Sequence, residues 1–198
     1  NDKGPEFFKH LQVLAQLHDS YILCSNEEGL VIVDQHAAQE RYHYEQLNEK
    51  LLVQCTNKQP LMVPIQLDVS SNVLAQYMTI NEKTAFFGIE FEPFGTDQLI
   101  LREIPLWFHD VDQKQFLQDL LDYFVENQDV DMAKLRKHMI ATMACHSSIR
   151  FNRPLSMQEM EQVILDLQKC KQPYHCPHGR PTVIVMSDGE LRKEFERG

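Results

Sequence analysis

The chain has 198 residues, 43% hydrophobic and 24% charged, with 7 Gly and 9 Pro. That balance fits one large globular domain or two small ones, and excludes a disordered or collagen-like chain. A net charge of −10 argues against a free-standing nucleic-acid binder, whose footprint is usually basic, and no apolar run approaches the roughly 20 residues of a membrane span.

The charge is uneven. Residues 1–67 carry −4, residues 68–130 carry −9, residues 131–150 carry +3 and residues 151–198 are neutral. A polyanion can therefore approach one part of the protein and be repelled by another. The polar start Asn1-Asp2-Lys3-Gly4-Pro5 is no signal peptide. It reads as the start of an excised fragment, with Gly4-Pro5-Glu6-Phe7 as a cloning remnant. Cys24, Cys55, Cys145, Cys170 and Cys176 lack the spacing of a disulfide framework, which points to a reducing compartment.

In chain order, Val13 to Cys24 reads as one or two strands with a turn near His18-Asp19-Ser20. Asn26-Glu27-Glu28-Gly29 is a turn by composition, and Leu30 to Val33 is a buried β-branched strand. It feeds a helix over about 35–53, with Asp34 at the junction as a natural N-cap. Gln59-Pro60-Leu61-Met62-Val63-Pro64 excludes a helix through its two prolines. Ile65 to Val69 alternates as a strand, residues 71–87 read as helix, and Phe91 to Pro105 as two short strands around Gly95-Thr96-Asp97. Helices follow over 112–126 and about 131–148. Ser156 with Glu159 forms a capping box for a helix ending near Cys170. Pro173 to Pro181 is a loop, Thr182 to Met186 a strand, and Ser187 with Glu190 caps a final helix. The fold class is therefore α/β (α+β). The acidic middle, 68–145, reads as a smaller subdomain inserted into a discontinuous core of 1–67 and 146–198.

Two stretches carry chemistry. His36 and Glu40 stand i,i+4 on one helix face, where they can share a divalent cation or form a surface pair. Asp34 lies just before them at a strand end. Glu45 falls on nearly the opposite side of the helix and faces Arg41, so a salt bridge suits it better than a metal. Cys176 and His178 sit one residue apart in a loop stiffened by Pro177 and Pro181; thiolate and imidazole are the usual zinc ligands, though a reduced Cys beside a solvated His is equally compatible. Ala144-Cys145-His146 ends a helix and offers one more thiol. Mixed soft and hard ligands suit zinc or manganese better than iron–sulfur or calcium. No Ser-His-Asp arrangement, P-loop or dinucleotide glycine pattern occurs.

Asp34-Gln35-His36-Ala37-Ala38-Gln39-Glu40, followed by Glu45, fits the pattern D-Q-H-A-x2-E-x4-E. Ala144-Cys145-His146, Cys176-Pro177-His178-Gly179-Arg180-Pro181 and Phe195-Glu196-Arg197 follow in order. Across essentially its whole length the sequence resembles the C-terminal domains of MutL-type DNA mismatch-repair proteins, in their endonuclease-bearing form. His146 departs from the basic residue usual at its position, and Arg150 one turn later is a substitute.

The resemblance implies a homodimerisation module and a Mn²⁺-dependent endonuclease that nicks one strand of duplex DNA. By matching position, Asp34, His36 and Glu40 are the catalytic set. His36, Glu40, Cys145, Cys176 and His178 form the metal site, which in relatives holds zinc. Glu45, Arg180, Phe195 and Arg197 support it, the last two across a dimer interface. Zinc then organises the site and a weakly held Mn²⁺ is catalytic. Gln59, Leu61, Met62, Val63 and Pro64 resemble the motif by which such proteins dock on the replication sliding clamp; as an ordinary edge segment, the same stretch would turn Leu61 and Val63 into the core. Further implied partners are duplex DNA, weakly for the isolated domain, and a MutS-type mismatch sensor through the full-length protein. The implied location is cytoplasmic and nucleoid-associated, with no membrane partner. Two other functions stand beside this one: a non-catalytic, zinc-stabilised dimerisation domain, and an unrelated zinc hydrolase, which would need an open zinc position and a small-substrate pocket.

Overall fold

The structure, a computed structural model, describes residues 4, 6–108, 110–146 and 150–197. Its elements run α1 (Glu6–Lys9), β1 (Gln12–Leu17), β2 (Tyr21–Asn26), β3 (Gly29–Asp34), α2 (Gln35–Leu51), β4 (Lys58–Asp68), α3 (Ser71–Thr84), a 3₁₀ turn (Ala85–Phe87), β5 (Glu92–Phe94), β6 (Gln98–Pro105), α4 (Gln113–Glu126), α5 (Met132–His146), α6 (Met157–Lys169), β7 (Val183–Ser187) and α7 (Asp188–Glu194). With helices and two antiparallel sheets, this is the expected α+β fold. Positions 147 and 148, expected in the fifth helix, lie outside the described residues.

The chain divides into two units, 1–45 with 150–198, and 46–149. The sequence expectation drew the first boundary at 67/68. β4 pairs with β6 between Lys58 and Asp68, and so falls in the second unit.

In the first unit the sheet runs β1-β2-β3-β7. The hairpin between β1 and β2 turns through His18 and Asp19, both at φ 52°; His and Asp are among the side chains that best tolerate this left-handed region. Gly29 opens β3 at φ 140°, and a Cβ there would meet the Met186 carbonyl oxygen at 2.4 Å. The β3–β7 pairing therefore requires glycine at this position. One sheet face carries Ile22, Cys24, Val31 and Val33, which pack on Met160, Val163, Ile164 and Leu167 of α6. Phe7 and Phe8 of α1 are buried in the same core, with Phe8 against the Tyr174 ring at 5.4 Å. Phe7 is thus part of the packed core, while Glu6 is exposed.

The opposite face is also apolar. Register puts Ile32 beside Ile184, Leu30 beside Met186 and Leu17 beside Tyr21. Leu17, Tyr21, Ile184 and Met186 are exposed. Alternation along a strand normally yields a polar outer face; here both faces are apolar.

The second unit has a three-stranded sheet, β4-β6-β5, with β6 central. Leu99, Leu101, Phe87, Phe108, Phe116, Leu117 and Leu120 are fully buried. The Trp107 indole donates to the Phe87 carbonyl at 2.9 Å. β4 is an edge strand whose ladder breaks between Pro60 and Ile65, the consequence of prolines that cannot donate to it.

Candidate metal centre

Asp34 ends β3 and starts α2. Its Oδ1 accepts the Ala37 N–H at 2.9 Å, the N-cap expected of Asp before a helix, worth about 1 kcal/mol. Its own N–H donates to the Thr182 carbonyl, which fixes the α2 start beside the segment after the Cys/His loop. Gln35, next in line, is fully buried. It accepts from Gln16 at 2.6 Å and donates to the Phe151 carbonyl at 2.5 Å.

From that start, Glu40 comes to face the 173–181 loop. The loop is closed by Cys176 N–H to Arg180 carbonyl and Gly179 N–H to Cys176 carbonyl bonds, at 2.8 and 2.9 Å, with Gly179 left-handed at φ 85°. This turn folds Cys176 inward, 1% exposed, and leaves His178 at the rim. Glu40 Oε1 lies 2.9 Å from His178 Nδ1. The ligand atoms of Glu40, Cys176 and His178 all lie within 4.8 Å of one another. Glu40 Oε2 is buried with no hydrogen-bond partner; Arg180 approaches it only to 3.6 Å.

A buried carboxylate oxygen without a partner is costly. A divalent cation held by Glu40, Cys176 and His178 would satisfy it, and carboxylate, thiolate and imidazole are zinc's usual donors. The residues present therefore fit such an ion. Arg180 is drawn to the same groups: the Cys176 side chain first, then Glu40 and Asp34, hold its guanidinium above the ordinary arginine range despite an opposing burial effect.

The other expected site residues fall as follows. His36 lies one turn before Glu40 but outside this cluster, its ring edge-on to Phe151 at 5.3 Å. Cys145 is exposed on the last turn of α5, in the second unit. Glu45 pairs with Arg41 at 3.7 Å. Its two oxygens also accept the Lys171 and Gln172 N–H groups, at 2.6 and 3.0 Å. Phe195 caps the C-terminus of α7 and is 71% exposed, and the Arg197 N–H donates to the Arg192 carbonyl. His146 pairs with Asp119 at 2.5 Å. Burial pushes the Asp119 carboxyl up, but hydrogen bonds from His146 and Gln115 outweigh it and hold the carboxyl below its usual range. Burial lifts the Cys24 thiol to about 11 and, with the Glu45 charge, the Cys170 thiol to about 12, so both are inert packing residues. In the Gln59–Pro64 stretch Met62 and Val63 are 103% and 78% exposed, so Val63 is no core residue. Sequence reasoning passed over Gln35 as a site-shaping residue. It lies inside the motif, but a buried glutamine there is indistinguishable from an ordinary helix former.

The first unit thus combines an antiparallel sheet with an exposed apolar face and a compact cluster of Glu40, Cys176 and His178. In comparison with known families, residues 14–155 match the family described as MutL C terminal dimerisation domain. The chain belongs to the MutL C-terminal dimerisation family. It is similar to the DNA mismatch repair protein MutL of Exiguobacterium sibiricum, 39% identical over 194 residues, covering 98% of this chain and 32% of that protein. The MutL proteins of Shouchella clausii, 36% identical over 187 residues, and Lactococcus lactis subsp. lactis, 35% over 193, cover 94% and 96% of this chain and 29% of each relative. The chain thus spans about a third of the length of these relatives. Among the described residues, no helix is long and apolar enough to cross a membrane.

Proposed function

We propose that this chain is the homodimeric, metal-dependent nicking domain of a MutL-type mismatch-repair protein, acting in the cytoplasm at the nucleoid. The observation that carries the reading is the convergence of Glu40, Cys176 and His178 around a carboxylate oxygen left unbonded. Zn²⁺ held there would organise the site, with His36, one turn earlier on α2, as a further ligand, and Mn²⁺ would be the catalytic ion. A divalent ion supplies polarisation of the scissile phosphate and a lowered pKa for the attacking water. Asp34, half-buried at the α2 N-terminus, contributes the carboxylate nearest the start of the motif helix. Arg180 adds positive charge suited to a phosphate, and Phe195 and Arg197 support the site from the partner protomer.

The apolar outer face of the first sheet is the homodimer surface in this reading, since large exposed apolar patches mark association sites. The net charge of −10 leaves little phosphate affinity in the domain itself. DNA is then delivered by tethering to the rest of the protein, which raises local concentration, through the MutS-type sensor and through a sliding clamp that takes the exposed Gln59–Pro64 edge segment.

The test is nicking of supercoiled circular DNA in Mn²⁺, with and without sliding clamp, against an Asp34→Asn control. Nicking by the native chain alone supports the endonuclease. No nicking in either, with protein folded and dimeric, favours the non-catalytic zinc-stabilised dimer, in which Asp34 serves only as the helix cap seen here. The division of labour between metals fails if zinc-depleted protein nicks as well as replete protein.

A further inference from the structure

The segment that carries Cys176 is not self-supporting. It leaves α6 at Lys169 and reaches Cys176 through residues 170–175, which form no helix or strand beyond one bridge from His175 to Pro181. Thr182 donates to the Pro173 and Tyr174 carbonyls, the Tyr174 ring packs on Phe8, and two side chains of α2 hold the stretch from the other side. Arg41, 6% exposed, donates through Nε to the His175 carbonyl at 2.6 Å, immediately before Cys176. One turn further on, Glu45 takes the two N–H groups of Lys171 and Gln172. Arg41 and Glu45 also face each other at 3.7 Å, so each fixes the direction in which the other reaches.

We infer that Arg41 and Glu45 are a paired positioning device that sets Cys176 and His178 against Glu40, and so sets the affinity of the metal centre. This rests on the metal reading given above. The physical basis is geometric. Glu40 and Arg41 are neighbours on one rigid helix. The same turn of α2 that presents the carboxylate ligand therefore anchors the backbone next to the thiol ligand. Held at both ends, the 170–175 stretch loses little further freedom when an ion binds; released from either side chain, more of that ordering falls to the ion. Groups that orient metal ligands without touching the metal typically change affinity by about 10–100-fold.

The experiment is Co²⁺ titration of the 198-residue chain, followed by thiolate-to-cobalt charge-transfer absorption and competed against a chelator of known affinity. The native chain should show the band, and Cys176→Ser should lose it. Arg41→Met and Glu45→Gln should keep the band at saturation and bind Co²⁺ at least about 10-fold more weakly. Arg41→Lys, which retains a donor for the His175 carbonyl, should recover part of the loss. Affinities within about twofold of native in folded variants would overturn the inference, as would a lowered melting temperature with unchanged Co²⁺ affinity, which marks a strut of the fold only. If Arg41→Met fails to fold, Glu45→Gln decides, because it keeps the side-chain volume and one of the two acceptors. Absence of the band in the native chain would overturn the metal reading itself, and this inference with it.

Discussion

Glu40 and His178 meet at 2.9 Å, one from a helix near the start of the chain and the other from a loop near its end. Both also stand beside the Cys176 thiol, so in the proposed metal reading ion binding would be a stability effect on the first unit. Zn²⁺ at about a hundred times its dissociation constant should raise unfolding free energy by roughly 2.7 kcal/mol. Thermal melts in zinc and in EDTA check this. The native chain should melt several degrees higher in zinc, and Cys176→Ser and His178→Ala should melt alike in both. Coincident native melts would contradict a site at this position.

Gly29 tests the sheet. Alanine there would bring a Cβ to 2.4 Å from the Met186 carbonyl oxygen and 2.9 Å from the Asp188 nitrogen, both backbone atoms that cannot step aside alone. Gly29→Ala should destabilise the chain by about 3 kcal/mol, read as a lowered urea midpoint with little change in slope. A cost below about 1 kcal/mol would show that β7 shifts freely.

The apolar face tests association. Ile184 lies opposite Ile32 on the exposed side. Ile184→Lys puts a charge on that surface, where an unpaired charge buried in the dimer costs several kcal/mol. Sedimentation velocity should show a dimer for the native chain and a monomer for the variant at micromolar concentration. A variant that stays dimeric would place the interface elsewhere.

The edge segment tests clamp docking. Gln59→Ala combined with Leu61→Ala should weaken sliding-clamp binding about tenfold or more, about 1.4 kcal/mol, while circular dichroism and melting stay native. Unchanged clamp affinity would return the segment to a plain sheet edge.

Glu159 gives a pH dependence with a definite sign. The Ser156 N–H first, then Arg153, hold its carboxyl down at about 2. A depressed carboxyl stabilises the fold above the unfolded value of 4.5 and loses that contribution as pH falls from there towards 2. The urea midpoint of the native chain should fall across this window, and Glu159→Gln should flatten part of the fall. An identical pH profile in the variant would show that the exposed capping pair is screened to nothing.

Local signals made most elements legible. The capping boxes Ser156–Glu159 and Ser187–Glu190 both form, Asp34 caps α2, and the turn at His18–Asp19 falls where composition placed it. These depend on neighbours within four residues, and so are written in short stretches of chain. The short helix of α1 was missed because its reason is distant: Phe7 and Phe8 are held by the core and Tyr174.

The sequence by itself determined most of the inventory: the helices and strands after α1, the metal-ligating side-chain types offered by Glu40 and the Cys176–His178 loop, and the facing of Glu45 and Arg41. Only the tertiary structure decided how these meet. It gave Glu40 its partners and left one of its oxygens unbonded. It turned Met62 and Val63 outward from a broken ladder, put β4 in the second unit by pairing it with β6, and gave Arg41 the His175 carbonyl. The physical reason is separation along the chain. Caps and turns are satisfied locally, whereas a backbone carbonyl or a buried carboxylate takes whatever donor the fold brings near it.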